Sequence, residues 1–394
     1  MNPPVPADSP VPAPARNRYD LREWAGAFGD LGTLLPFVMA YLRVLHLDPF
    51  GVLFGFGVSM LCCGAWFKTP IPVQPMKAIG AVAVGQTAQT MVLTAGVIQG
   101  AALATGLLWL LLGATGIARR LGRWVSAPVA QGMMVGLALA FMWQGAQLMR
   151  QTWLLAAAGL LLAQLLTRTT GFPSIFALLL LGLGWTGVEQ PEALAALGTV
   201  GLQWRWPGFA WPTLSIQDLL LGTVLLALPQ APLTLGNAII GIRAENNRLF
   251  PARPVSERTL ALSTGIMNLF GSAVGAVPMC HGAGGMAGHV AFGARTGGSV
   301  VILGALLLLL ALGFSGSVLT IFGLVPAAVL GTVLFITGAQ LGLGQLRQRR
   351  VGRAWLVLGA TAAVSVWHVA AGMVVGLLLQ QALRARAPGG NRPG

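Results

Sequence analysis

The chain is poor in charge and poorer still in acid. Of 394 residues only 10 are Asp or Glu, against 24 Lys or Arg, and charged residues make up 9% of the total. A soluble domain carries about 25%, so the composition excludes an ordinary water-soluble fold. Tyrosine (2), histidine (4) and cysteine (3) are scarce as well. Cys62 and Cys63 are adjacent inside an apolar run, which leaves no disulfide framework and no repeated CxxC metal motif. No metal or cofactor is expected, and no nucleophile–base spacing marks an enzyme. The first residues do not read as a signal peptide, since no basic start precedes an apolar core; residues 1–19 are expected to be a disordered tail rich in Pro and Ala.

What the chain does have is apolar length. It is 55% hydrophobic, and runs of about 18 or more apolar residues, long enough to span a bilayer, recur along it. Residues 301–313 do not alternate as barrel strands would. The expected fold class is therefore all-α and polytopic, with about fourteen transmembrane segments. The first half offers spans at 24–42, 50–67, 76–85, 91–114, 128–148, 153–166 and 174–188. The second offers 216–242, 260–276, 279–292, 299–312, 326–343, 354–368 and 369–383. The third and tenth are too short to cross as plain helices and suit broken segments, an extended stretch followed by a half-helix. The expected organisation is a first seven-span repeat over 20–188, an outer loop over 189–215, a second repeat over 216–383 and a short tail over 384–394. The outer loop carries Trp204, Trp206 and Trp211, the composition of an interfacial aromatic belt.

A net charge of +14 does not signal nucleic acid here, because the cations lie in short clusters between apolar runs. With the N-terminus inside, Arg43, Arg150 and Arg205 fall outside, Lys77 falls within the membrane, and every other Lys and Arg falls on the inner side. That asymmetry is the positive-inside pattern. It supports an even number of spans with both termini cytoplasmic; the expected location is a bacterial inner (plasma) membrane.

The halves share features. Asp30-Leu31-Gly32-Thr33 in one answers Asp218 to Leu221-Gly222-Thr223 in the other. Both have a proline-broken third span, and both have a fifth span that opens at proline (Pro128, Pro326) and contains Gly-Ala-Gln-Leu. Seven spans per repeat place the repeats in inverted orientation, and transport sites form where two such broken spans meet.

In the third span Pro70, Pro72 and Pro75 disfavour helix up to Gln74, and Pro75 suits the first turn of a new helix. Free N–H groups at a mid-membrane helix start favour an anion. Lys77 adds a full charge and Gln74 an amide; alternatively Lys77 snorkels to water. In the tenth span Pro278 breaks the chain and Cys280-His281-Gly282-Ala283-Gly284-Gly285 opens a helix that is nearly bare of side chains, suited to a bound anion or to close helix packing. His281 can donate to the anion or take a proton, or it is simply packed. Asp30 can pair with Lys77, carry a coupling proton, or be held by backbone groups. In the eighth span Pro229 and Pro232 are expected to break the helix, with Gln230, Thr234 and Asn237 either lining the site or satisfying freed backbone groups.

Taken in order, Gly29-Asp30-Leu31-Gly32-Thr33, Pro72-Val73-Gln74-Pro75-Met76-Lys77-Ala78, Pro229-Gln230-Ala231-Pro232-Leu233-Thr234-Leu235-Gly236-Asn237-Ala238, and Cys280-His281-Gly282-Ala283-Gly284-Gly285 with Phe292-Gly293-Ala294-Arg295-Thr296-Gly297 resemble the molybdate-transporter family, a branch of the sulfate-permease superfamily. The resemblance covers roughly 24–383. It implies a seven-plus-seven inverted repeat similar to uracil permeases, with a core domain (spans one to four and eight to eleven) moving against a gate domain. Relatives in the superfamily usually add a C-terminal regulatory (STAS) domain; only a short tail follows Leu383 here, so none is expected, as in the molybdate branch. One departure is His289-Val290-Ala291, where a Gln-Tyr-type stretch is expected. The expected activity is secondary active transport of a tetrahedral oxyanion, molybdate first and sulfate as the alternative; an anion channel or an intramembrane redox protein ranks lower. The candidate substrate-binding residues are Thr33, Gln74, Met76, Lys77, Gln230, Cys280, His281 and Gly282, with Asp30 and His281 as coupling candidates. The expected partners are the oxyanion, the lipid bilayer and a second copy of the chain as a homodimer.

Overall fold

The computed structural model describes residues 16–76, 79, 93–169, 172–207, 214–348 and 352–385. Among these the chain is helical apart from one pair of two-residue strands. The first half runs α1 (Leu21–Gly29), α2 (Leu31–Val44), α3 (Pro49–Phe67), β1 (Gln74–Pro75), α4 (Ala95–Ala114), α5 (Ile117–Trp124), α6 (Ala127–Met149), α7 (Trp153–Thr169) and α8 (Ser174–Glu189). The second runs α9 (Ile216–Leu249), α10 (Glu257–Val274), β2 (Met279–Cys280), α11 (Ala283–Ala291), α12 (Gly298–Phe314), α13 (Ala327–Leu346), α14 (Arg353–Ser365) and α15 (Val369–Ala385). Six helical stretches among the described residues are long and apolar enough to cross a membrane, or seven if α1 and α2 count as one bent span. The chain is an integral membrane protein.

Local signals set the helix ends. Asp48 caps α3 by accepting from the Phe50 N–H, Pro49 follows at the first helical position, and Lys68 closes the helix at φ 56°. Ser256 caps α10 through the Thr259 N–H, and Gly275 ends it at φ 79°, a left-handed turn that glycine adopts without strain. The buried Glu23 of α1 accepts from the N–H groups of Arg295, Thr296 and Ser299, at 3.0, 3.0 and 3.1 Å. It thereby fastens α1 to the N-terminal end of α12, where a carboxylate is favoured.

Two expectations about continuity change. The first span is bent by 41° between α1 and α2, with Asp30 at the corner. The eighth is not broken: α9 runs through Pro229 and Pro232 as one stretch of 34 residues. It does so by widening into π-helix at Gly222–Ala227 and Thr234–Gly241 on either side of the prolines. A π-bulge re-registers the backbone hydrogen bonds around donors that proline lacks, so the helix is distorted rather than interrupted.

Packing pairs one half with the other. α3 lies on α12, α4 on α10 and α9, and α6 on α13 and α14, while α14 also packs on α15. α6 and α13 touch backbone to backbone: a Cβ added at Gly145 would come within 2.7 Å of the Gly331 carbonyl, and one at Gly331 within 2.6 Å of the Gly145 carbonyl. On the predicted outer side the loop returns against the end of α12, with Gln203 and Arg205 donating to Gly313 and Leu312, both at 2.8 Å. Arg205 then grips Asp48 with two nitrogens at 2.9 and 2.8 Å. Partial burial pushes the Asp48 carboxyl up, but the guanidinium and the Phe50 N–H outweigh that and hold it below its ordinary value. Trp204 and Trp206 are exposed beside this loop, as an interfacial belt requires; Trp211 lies outside the described residues.

Candidate functional site

The two proline-broken segments meet. β1 pairs antiparallel with β2, Gln74 opposite Cys280 and Pro75 opposite Met279, and the Met76 N–H donates to the Pro278 carbonyl at 2.9 Å. Extended backbone in a membrane bundle must have its polar groups satisfied by protein. Asn268 on α10 does this for β2: its Nδ2 donates to the Met279 carbonyl at 2.6 Å and its Oδ1 accepts from the Met279 N–H at 2.9 Å. Tyr41 on α2 donates to the Met76 carbonyl at 3.3 Å. Pro75 is therefore in strand, where the sequence suggested a first helical turn. The helix start that was expected at Cys280 falls at Ala283, with Gly282 as its cap residue.

In front of that start lies a buried polar cluster. Gln74 Nε2 donates to Asp30 Oδ1 at 2.5 Å and also to Thr33 Oγ1. Thr33 Oγ1 reaches Asp30 Oδ1 at 2.5 Å. The Gln74 side chain lies across the opening turn of α11, so close that a Cβ at Gly282 or Gly285 would collide with its amide. Gly282, Gly285 and His289 follow at helical spacing on one face of α11. His289 Nε2 is 3.5 Å from Asp30 Oδ2, and both residues are fully buried. Asp30 Oδ2, Gln74 Oε1 and both ring nitrogens of His289 have no hydrogen-bond partner among the described residues. Thr33 also faces a narrow cavity shared with Gly32, Pro36, Phe37, Phe141, Gln144 and Leu334. This cavity lies where α2 faces α6 and α13.

The fold separates the sequence-derived candidates. Thr33, Asp30, Gln74 and Gly282 converge. Met76 is fully buried and continues β1, contributing backbone contacts. Cys280 is buried opposite Gln74. His281 turns away from the cluster: Nδ1 lies 2.8 Å from the Pro72 carbonyl and Nε2 lies 2.9 Å from Ser263 Oγ. Both nitrogens are thus engaged by protein, and the ring ties the first broken segment to α10. Gln230 is buried and bonds Thr234 on the same helix at 3.0 Å. Lys77 lies outside the described residues, and so does its suggested pairing with Asp30.

Two residues of this arrangement are not among the candidates that the sequence offers. His289 was noted only as a departure from a pattern, although its spacing from Gly282 and Gly285 placed it on the same helix face. Asn268 is a lone amide in an apolar span, and such residues are costly unless they hold something.

The family profile described as "Molybdate transporter of MFS superfamily" matches residues 22–141 and 222–341, more than half of the chain. "Molybdate transporter 2" of Arabidopsis thaliana is 31% identical, over 92% of this chain and 87% of that protein. "Molybdate transporter 1" of the same plant is 29% identical, over 95% and 91%. Among solved structures, SLC26A9 superposes with a TM-score of 0.59 at 13% identity; the match covers 93% of this chain, which spans 65% of SLC26A9. The transmembrane domain of the cyanobacterial bicarbonate transporter BicA gives 0.58 at 16% identity, over 90% of this chain and 97% of that domain. At such identities the likeness speaks for the fold alone, which this chain shares with SLC26A9 and the BicA transmembrane domain. The relatives that share sequence are named transporters, not enzymes, and the chain belongs to the molybdate transporter family.

Proposed function

We propose that the chain is a secondary active transporter of a tetrahedral oxyanion, molybdate first, working by alternating access. The observation that carries this is the β1–β2 crossing, which brings Gln74 and a glycine-lined helix start together in a buried position. The N-terminal turn of α11 offers backbone donors and a positive dipole end without a side chain in the way. Lys77, three residues beyond Gln74, would bring one full positive charge towards the dianion. The family membership and the printed names of the plant relatives support molybdate as the cargo.

The proposed moving parts follow the packing. α1 to α4 with α9 to α12 form the core domain, and α6 to α8 with α13 to α15 form the gate. The two sets face each other where α2 and α11 meet α13, next to the Thr33 cavity. Sliding at that face would expose the site to either side in turn. The family profile matches two stretches of equal length, which supports a repeat of the first half in the second.

The test is uptake of labelled molybdate into proteoliposomes that hold the full chain. Uptake that saturates, and that is accelerated by unlabelled molybdate on the opposite side, is the expected result. Flux that never saturates and shows no exchange would mean a channel instead.

A further inference from the structure

We infer that Asp30 and His289 together form a proton-binding site whose occupancy sets the affinity for the oxyanion. This rests on the transport reading above and adds a second ligand to it.

Buried polar atoms are nearly always hydrogen-bonded, and an orphan asks for an explanation. Here Asp30 Oδ2 and both nitrogens of His289 are orphaned within one contact of 3.5 Å. One proton between carboxylate and imidazole changes this pair from a net charge of −1 to neutral, whichever of the two carries it. Neutral His289 already carries one N–H that can face Asp30 Oδ2, and the added proton gives the pair a second donor. The other oxygen of Asp30 is already taken by Gln74 and Thr33, so the charge of the pair is felt at the crossing itself. A dianion brought there meets a like charge when the pair is bare, and none when the pair holds a proton. By linkage, the proton then raises the affinity for the anion, and the anion raises the affinity for the proton by the same factor.

Nearby charges leave this pair to act alone among the described residues. On α1, Glu23 is held by the N–H groups of Arg295, Thr296 and Ser299 and lies 3.8 Å from Arg18; Arg22 is exposed. Arg295, just beyond α11, donates to the carbonyls of Val290 and Ala294. On α9, Glu245 pairs with Arg248 at 2.6 Å, and Arg243 pairs with Glu257 of α10 at 3.3 Å. α6 and α13, which also pack against α11, carry no ionisable side chain over their ranges. Arg43 of α2, which also packs against α11, is exposed, and Lys77 lies outside the described residues.

The experiment is equilibrium binding of labelled molybdate to the purified full chain from about pH 6 to pH 8.5, where an imidazole changes charge. A pH dye in weak buffer reads proton uptake on mixing. Wild type should lose affinity by up to about tenfold per pH unit towards the alkaline end, and should take up about one proton per bound anion. Asp30→Asn removes the charge that the proton neutralises, so its affinity should be flat with pH and its proton uptake absent. If Asp30→Asn does not fold, His289→Gln replaces it and should likewise lose the uptake. Binding by wild type that is flat with pH and releases or takes up no proton overturns the inference and leaves the transport reading intact. A variant of either kind that binds molybdate and keeps the wild-type uptake also overturns it. A folded wild type that binds no oxyanion at any pH removes both.

Discussion

Gln74 stands directly opposite Cys280 where the two broken segments cross, and its amide reaches back across the first turn of α11 to Asp30 and Thr33. One side chain therefore touches both halves of the chain. Gln74→Ala should reduce molybdate uptake by about ten- to a hundredfold, the equivalent of losing one or two hydrogen bonds to a charged group. Proteoliposome uptake at matched protein density reads this, and a variant within about twofold of wild type would count against Gln74 as a contact.

Gly285→Ala tests the same place by steric means. A Cβ there strikes the Gln74 amide and comes within 2.8 Å of Asp30 Oδ1. Overpacking of this kind costs about 1–3 kcal/mol. The expected result is a folded protein with uptake reduced about tenfold or more, seen as a normal elution profile in size exclusion beside weak transport. Unchanged transport would show that Gln74 can move aside without consequence.

Asn268→Ala should act on stability before function. It leaves the Met279 N–H and carbonyl without the partners now at 2.9 and 2.6 Å. Each buried group left unsatisfied costs about 1–3 kcal/mol. Thermal unfolding in detergent should fall by several degrees, more than for Ala substitution of an exposed residue such as Gln217 of α9.

How much of this was legible depended on the kind of signal. Pro70, Pro72, Pro75 and Pro278 announced the broken segments, because proline removes a donor wherever it stands. Pro229 and Pro232 carry the same local signal, yet α9 passes through them by π-helical widening, a remedy that depends on neighbours rather than on the tripeptide. His281 and His289 look alike in sequence. Only the fold separates them, turning one to Pro72 and Ser263 and the other to Asp30. The strand pairing joins residues 206 positions apart for Gln74 and Cys280, a register that no local pattern encodes.

The Asp48–Arg205 pair offers a pH test away from the site. The Asp48 carboxyl sits below its ordinary value, so its contribution is present at neutral pH and is lost as pH falls through the lowered folded value. Because Asp48 is half-exposed, the effect of the ion pair is small, about 0.2–1 kcal/mol. Asp48→Ala also removes the cap of α3, worth about 1 kcal/mol. Its melting temperature should therefore drop more than that of Arg205→Ala at neutral pH, and the gap between wild type and Arg205→Ala should narrow in acid. A gap that widens in acid would reverse the sign assigned here.

The most direct measurement is labelled molybdate uptake by wild type and Lys77→Ala side by side, with sulfate, tungstate and selenate as competitors. An oxyanion held by an ammonium group and a bare helix start at the crossing requires saturable wild-type uptake, blocked best by tungstate as the nearest match in size, and near-complete loss in a Lys77→Ala protein that still folds. Full uptake by folded Lys77→Ala, or wild-type uptake indifferent to every tetrahedral competitor, would contradict it.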